Sequence, residues 1–419
     1  PTRRTAVLFS GRVRTYVVMP FRHTLSIVSI SLLGAGPLLS VGSEPATCSS
    51  TDTCLSQSPT EVSRSPTELP VIGHVQAPPT AKNYEQIEGE KATEYLDLVD
   101  ENREGWQAPG RVYEYESVSN PKLPPVPILA LGSDDYIENV TRTYTADFSE
   151  LLQVEYPATS PNLLASFVKI MAGESSITQT SATSQAFYVV KGEGSSNCEH
   201  GQISWGPGDL FVVPAMEGNI THHAEETAVI YWVHDGPLLS YLGVKPSEKR
   251  FEPTLYKNET LHKTMEIIKN DPDAVTRNRM GILLGNKETS QTKTLSHTLW
   301  ALLNTIPPHV VQKPHKHNSV ALDLCITAGR DTYTLMSRQI DDEGKLVDPV
   351  RVDWQPGSMF VTPPGWWHSH INEGDTPGWV LPLQDAGLYT YQRSLDIRFA
   401  PQTIAEYKRR RIAGVMDQF

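Results

Sequence analysis

Two ten-residue segments of this chain repeat one another. Trp205-Gly206-Pro207-Gly208-Asp209-Leu210-Phe211-Val212-Val213-Pro214 is mirrored by Trp354-Gln355-Pro356-Gly357-Ser358-Met359-Phe360-Val361-Thr362-Pro363. Downstream, Asp235-Gly236-Pro237-Leu238-Leu239-Ser240-Tyr241 is likewise matched by Asp385-Ala386-Gly387-Leu388-Tyr389-Thr390-Tyr391. Each ten-residue copy is a Pro/Gly turn followed by a short apolar run, the pattern of a strand entered from a tight turn. A duplicated unit has to bury the same faces twice, so the chain is expected to build one β-structure two times over. The surroundings agree: from residue 163 onward, short alternating runs separated by turn residues read as an all-β barrel. The 32 Pro and 28 Gly suit many short strands.

At 419 residues the chain is longer than one ordinary domain. Residues 1–70 read as a targeting leader and a Ser/Thr/Pro-rich linker without a packed core. Within them Met19-Pro20-Phe21-Arg22-His23 precedes an apolar run from Leu25 to Val41, too short for a stable membrane span. A secretory or organellar destination is expected, with the cytoplasm as the alternative. Residues 71–160 form an N-terminal extension that includes an acidic amphipathic stretch over Tyr84–Asn102. The first barrel is assigned to 161–245 and a connecting helix and strands to 246–293, the helix over Lys257–Asn270. The second barrel is assigned to 294–400 and a tail to 401–419.

A formal charge of −12 and the lack of a dense basic run argue against nucleic acid or an anionic membrane as partner. Four cysteines, at 48, 54, 198 and 325, are too few and too scattered for a disulfide scaffold, although Cys48 and Cys54 could pair with each other in an oxidising compartment. Nothing in the sequence supports a nucleophilic triad or a phosphate loop, because Gly192-Glu193-Gly194 is followed by no helix start.

The chemistry concentrates in the second copy. Five of the thirteen histidines lie between 309 and 370. His315 and His317, one residue apart, point to the same side of a strand. A further strand and the turn Pro363-Pro364-Gly365 then deliver His368. Three imidazoles with coordination positions left over suit a divalent transition metal that must still admit a substrate. The first copy differs at the corresponding places. Counting along the repeat puts Gln179, Ser181 and Asn219 there, unless a small shift brings His222 or His223 into register. Amides and hydroxyls do not replace imidazoles as strong ligands, so the first barrel is expected to serve as a structural partner.

The spacing matches the two cupin motifs. The second, G-x5-P-x-G-x2-H-x3-N, is met at every fixed position by Gly357, Pro363, Gly365, His368 and Asn372. The first keeps His315 and His317, has Ala321 where a Glu would stand, and places Gly329 one residue late. Over roughly 160–400 the chain resembles the bicupin ring-cleaving dioxygenases typified by gentisate 1,2-dioxygenase. That resemblance implies two tandem cupin (jelly-roll) β-barrels with a few peripheral helices. It also implies Fe(II), or another divalent transition metal, held by His315, His317 and His368, with a small aromatic acid and O2 as partners in a homo-oligomer. Family members of the gentisate type generally carry iron in the first barrel, whereas here the histidines are in the second. The Arg often found shortly after the paired histidines is not evident. A metal-assisted lyase or isomerase acting on a small hydroxy or keto acid is the competing reading, and a non-catalytic small-molecule-binding bicupin the third.

Other residues take candidate roles around these ligands. His370 shares the face of His368 and is a candidate base. Counting by twos from His317 places Asp323 inside the barrel, where a carboxylate needs a partner. Gln384 could face the cavity from the strand that precedes the repeated Asp. Trp367 is a candidate for the substrate wall, and Arg393 for a substrate carboxylate.

Overall fold

The computed structural model describes residues 104–401, apart from 273, 275 and 276. The leader and linker, Tyr84–Asn102, the Cys48–Cys54 pairing and nearly all of the 401–419 tail lie outside the described residues. Among the described residues no helix is long and apolar enough to cross a membrane.

Four sheets stack as two jelly-roll barrels placed back to back. In the first barrel a six-stranded sheet runs in the order Thr254–Tyr256, Leu210–Pro214, Ser184–Lys191, Ala228–His234, Leu164–Ile170, Arg142–Thr145, and it faces a four-stranded sheet. The second barrel repeats the plan with Ala130–Leu131, Met359–Thr362, Ala321–Thr327, Gly378–Gln384, Trp300–Ile306 and Met280–Leu284. Its other sheet carries His315–His317 and Trp367–Asn372 near its centre.

The two six-stranded sheets pack on each other, which explains why the repeated strands are apolar at successive positions. Along Leu210–Pro214, Leu210 and Val212 join the core between the barrels, while Phe211 and Val213 join the interior of the first barrel. Ala228–His234 alternates in the same way, with Tyr231 toward the partner barrel and Ile230 and Trp232 inside. In the second barrel Leu322 and Leu324 face the first, which turns Cys325 into the second barrel's own core. Both faces of each inner sheet are therefore removed from water.

Two buried carboxylates tie the barrels together reciprocally. Asp235, at the end of the first barrel's last long strand, accepts from the Thr183 and Ser184 backbone N–H groups at 2.8 and 3.2 Å and from the Thr298 hydroxyl at 2.8 Å. Asp385, its repeat counterpart, accepts from the Val320 N–H at 2.9 Å and from the Asn162 amide at 2.7 Å. Thr298 and Asn162 stand just before the first long strand of the opposite barrel. The repeated Asp of each barrel thus holds the entry to the other.

Segments outside the repeat close the sheet edges. Arg142–Thr145 and Met280–Leu284 each pair with the first long strand of a barrel. Both lie outside the expected barrel bounds of 161–245 and 294–400, because an edge strand of four or five residues carries too little alternation to be read. The extension also reaches the second barrel: Ala130–Leu131 pairs with Met359–Thr362, and the Tyr136 hydroxyl donates to the Gly357 carbonyl at 2.5 Å. Gly357 has φ +79° in that turn, and a Cβ there would come 2.5 Å from the tyrosine oxygen, so only glycine fits. The connecting helix, expected over Lys257–Asn270, runs over Asn258–Lys269 and buries Leu261 and Met265.

Burial lifts the Asp385 carboxyl from 3.8 to about 6, despite the lowering effect of its hydrogen bonds. The folded chain then keeps a proton that the unfolded chain has already released above pH 3.8. This contribution to stability is present at low pH and is lost as pH rises through about 6. A shift of about two units is worth about 3 kcal/mol. Asp385→Asn cannot titrate, so the stability difference between wild type and this variant should move by about that amount between about pH 4 and about pH 6, against the wild type as pH rises. Denaturant melts across that range measure it. In the same assay Asn162→Ala should cost about 1–3 kcal/mol and couple energetically to Asp385→Ala.

Candidate metal centre

His315 and His368 sit opposite each other on adjacent antiparallel strands, and His317 follows on the same face as His315. The turn before His368 sets this register: Gly365, at φ +77°, donates its N–H to the His317 carbonyl at 2.7 Å. The Pro-x-Gly spacing is therefore a device for bringing the third imidazole beside the first two. All three rings are buried, and one nitrogen from each lies within 4.8 Å of the others. This is the one such group of His, Cys, Asp and Glu among the described residues.

The backbone decides which nitrogens face inward. Nδ1 of His317 lies 2.8 Å from the Ser319 carbonyl, and Nδ1 of His368 lies 3.0 Å from the Trp366 carbonyl. A carbonyl only accepts, so each Nδ1 carries the proton and each Nε2 keeps its lone pair for a metal. The Ser319 hydroxyl stands 3.1 Å from the same His317 Nδ1 and donates to Gln384 Oε1 at 2.8 Å, so Gln384 supports the ligand from the opposite sheet. Burial lowers His317 to about 4. It also lowers His315 and His368, with Arg279 and the neighbouring imidazoles adding to the effect. All three are neutral at ordinary pH, the form that binds a metal.

Arg279 was not legible in the sequence. It stands one residue before Met280–Leu284 and bonds to Gln312 and to the His315 ring, reaching Nε2 at 3.1 Å. Burial pulls its guanidinium down to about 9, and Asp323 opposes that. Asp323 accepts from the Thr362 hydroxyl at 2.6 Å, and burial raises its carboxyl to about 7 against the lowering effects of Thr362 and Arg279. Arg279 and Asp323 border a cavity of about 160 Å³ whose remaining walls include Trp300, Leu302, Pro382 and Phe399.

His370, Asp323 and Gln384 thus line the same cavity as the three histidines. His370 is further held by the Thr334 hydroxyl at 2.8 Å, which in turn accepts from Trp354 Nε1 at 2.8 Å. Trp367 and Arg393 do not line it. Strand alternation turns Trp367 to the face opposite His368, where Lys316 sits 4.9 Å from its ring centre. Arg393 caps the helix Ala386–Gln392 in a left-handed conformation, exposed, with its guanidinium bonded to the Tyr391 carbonyl. The cation that lines the cavity is Arg279, which stands just before a strand outside the expected barrel.

The first barrel repeats part of this network one residue out of the counted register. Trp205 Nε1 donates to Ser196 Oγ at 2.8 Å, and Ser196 contacts His222 Nδ1 at 2.7 Å, so His222 is the counterpart of His370. Thr178 then pairs with Ile220 where His315 pairs with His368. An isoleucine offers no ligand atom, and the shift does not restore a metal site.

No protein-family model matches the chain. It is 28% identical over 99 residues to gentisate 1,2 dioxygenase 1 of Aquipseudomonas alcaligenes, a stretch covering 24% of this chain and 25% of that enzyme. The matched stretch therefore spans about a quarter of the curated relative. The fold aligns with salicylate 1,2-dioxygenase of Pseudaminobacter salicylatoxidans at a TM-score of 0.53 and 13% identity, over 67% of this chain and 89% of that one. The same enzyme as its adduct with gentisate aligns at a TM-score of 0.53 and 13% identity, over 67% and 87%. Fold and site together define two tandem jelly-roll barrels with a three-histidine group in the second. The chain shares its fold with salicylate 1,2-dioxygenase and is similar in sequence to gentisate 1,2-dioxygenase over about a quarter of its length.

Replacing His315, His317 or His368 by Ala should abolish stoichiometric binding of Fe(II) or Co(II) in metal titrations, and His222→Ala should leave it intact. Gln384→Leu, which removes support from His317, should weaken binding about 10–100-fold.

Proposed function

We propose that this protein is an Fe(II)-dependent dioxygenase that opens a hydroxylated aromatic acid with O2. The observation that carries the reading is the placement of the Arg279 guanidinium against three neutral imidazoles in a largely apolar cavity. His315, His317 and His368 would hold the iron, their donor set being three neutral nitrogens with no carboxylate. A divalent iron held there supplies the redox chemistry that lets O2 react with a ring. Three neutral ligands leave its charge uncompensated, and Arg279 adds another cation, so the site favours an anionic substrate. Arg279 would leave His315 and take the substrate carboxylate through two N–H donors. Trp300, Leu302, Pro382 and Phe399 would exclude water and receive the ring. Asp323, with its carboxyl raised to about 7, would take and return the ring-hydroxyl proton. The matches to gentisate and salicylate dioxygenases support this substrate class.

A second reading rests on Asp323 alone. A carboxyl at about 7 beside a metal site is also what a lyase or isomerase acting on a hydroxy or keto acid would use, without O2.

An oxygen electrode with gentisate, salicylate and 1-hydroxy-2-naphthoate separates the two. We expect one O2 consumed per ring opened and no product under anaerobic conditions; anaerobic turnover would select the second reading. Arg279→Ala should raise KM about 10–100-fold, the worth of a lost charged hydrogen-bond pair, while Arg279→Lys recovers part of it.

A further inference from the structure

The first barrel keeps an open cavity of about 530 Å³ at the end that corresponds to the metal centre of the second. No part of the metal-centre reading bears on it. The buried end of this cavity is formed by Ser166, Trp232 and His234, and its mouth by Gln179, Thr180 and Ser181.

His234 is 4% exposed, and its tautomer can be read from the backbone. Its Nδ1 receives the Gly236 N–H at 3.1 Å, so Nδ1 holds a lone pair. The proton must then sit on Nε2, because burial lowers the ring to about 3 and it is neutral at ordinary pH. Among the described residues no group hydrogen-bonds Nε2. His234 lines the open cavity, so this donor is available to a molecule bound there. The indole N–H of Trp232, on the next inward position of the same strand, also has no partner among the described residues.

The lining selects the ligand by its charge. No Lys or Arg is among the lining residues, and the one Asp or Glu is the exposed Asp147. An acid of the kind suited to the second barrel would meet no counter-charge here. Hydroxyls of Thr145, Ser166, Thr180, Ser181 and Ser240 and the Gln179 amide can each donate or accept, and Trp232 offers an aromatic surface. We propose that the first barrel binds a small uncharged polyhydroxylated molecule, a sugar or cyclitol, without metal and with His234 Nε2 donating to one of its oxygens.

The test is ligand-observed NMR and calorimetry on the full chain with D-glucose, D-galactose and myo-inositol, and with benzoate as the anionic control. Saturable binding of at least one polyol is expected, with a Kd on the order of 1 mM, the range open to about a dozen heavy atoms without a charged contact. His234→Phe keeps the ring and removes the donor, and it should weaken that binding about tenfold. Gln179→Ala at the exposed mouth provides a variant that does not disturb the core and should also weaken it. Metal content of the second barrel should be unchanged in both, which separates this site from the other. The proposal is overturned if none of the three polyols saturates, or if neither variant weakens polyol binding. It is equally overturned if benzoate, rather than a polyol, loses binding on His234→Phe.

Discussion

Everything in this molecule depends on the two inner sheets being packed against each other. A sheet with one face on a barrel interior and the other on a second sheet has no wet side, so its strands must be apolar at consecutive positions. That requirement accounts for Leu210-Phe211-Val212-Val213 and Met359-Phe360-Val361 in one stroke. It also leaves any polar group on these strands dependent on protein partners. Asp235 and Asp385 meet that condition by accepting from both barrels at once, which makes the contact between barrels directional as well as apolar.

The shared frame carries two different sites. A Trp–Ser/Thr–His arrangement recurs in both barrels, as Trp205–Ser196–His222 and Trp354–Thr334–His370. It is part of the architecture rather than of a metal centre. What distinguishes the second barrel is the pair of residues facing each other across two outer strands: His315 and His368 there, Thr178 and Ile220 in the first. Burial then works on both barrels alike, keeping imidazoles neutral. In the second barrel neutrality leaves His317 and His368 with free Nε2 lone pairs, and in the first it leaves the His234 proton on Nε2.

Sequence alone determined the duplication, the all-β class and the three histidines, because each depends on local spacing. Period-two alternation fixes which residues share a face, and the Pro-x-Gly turn fixes how a strand returns beside its neighbour. Asp323, Gln384 and His370 were legible for the same reason, as inward positions on strands whose alternation can be counted. Tertiary structure alone decided where the cation sits. Arg279 lies 36 residues before His315, beside an edge strand too short to be read from its pattern, and only sheet pairing carries it to the imidazoles. The same holds for the first barrel, where counting put Gln179, Ser181 and Asn219 at the ligand positions. Backbone pairing places Thr178 and Ile220 there instead. One residue of slippage between two strands leaves local spacing nearly unchanged but reverses which side chains face inward, and hydrogen-bonded register alone decides that.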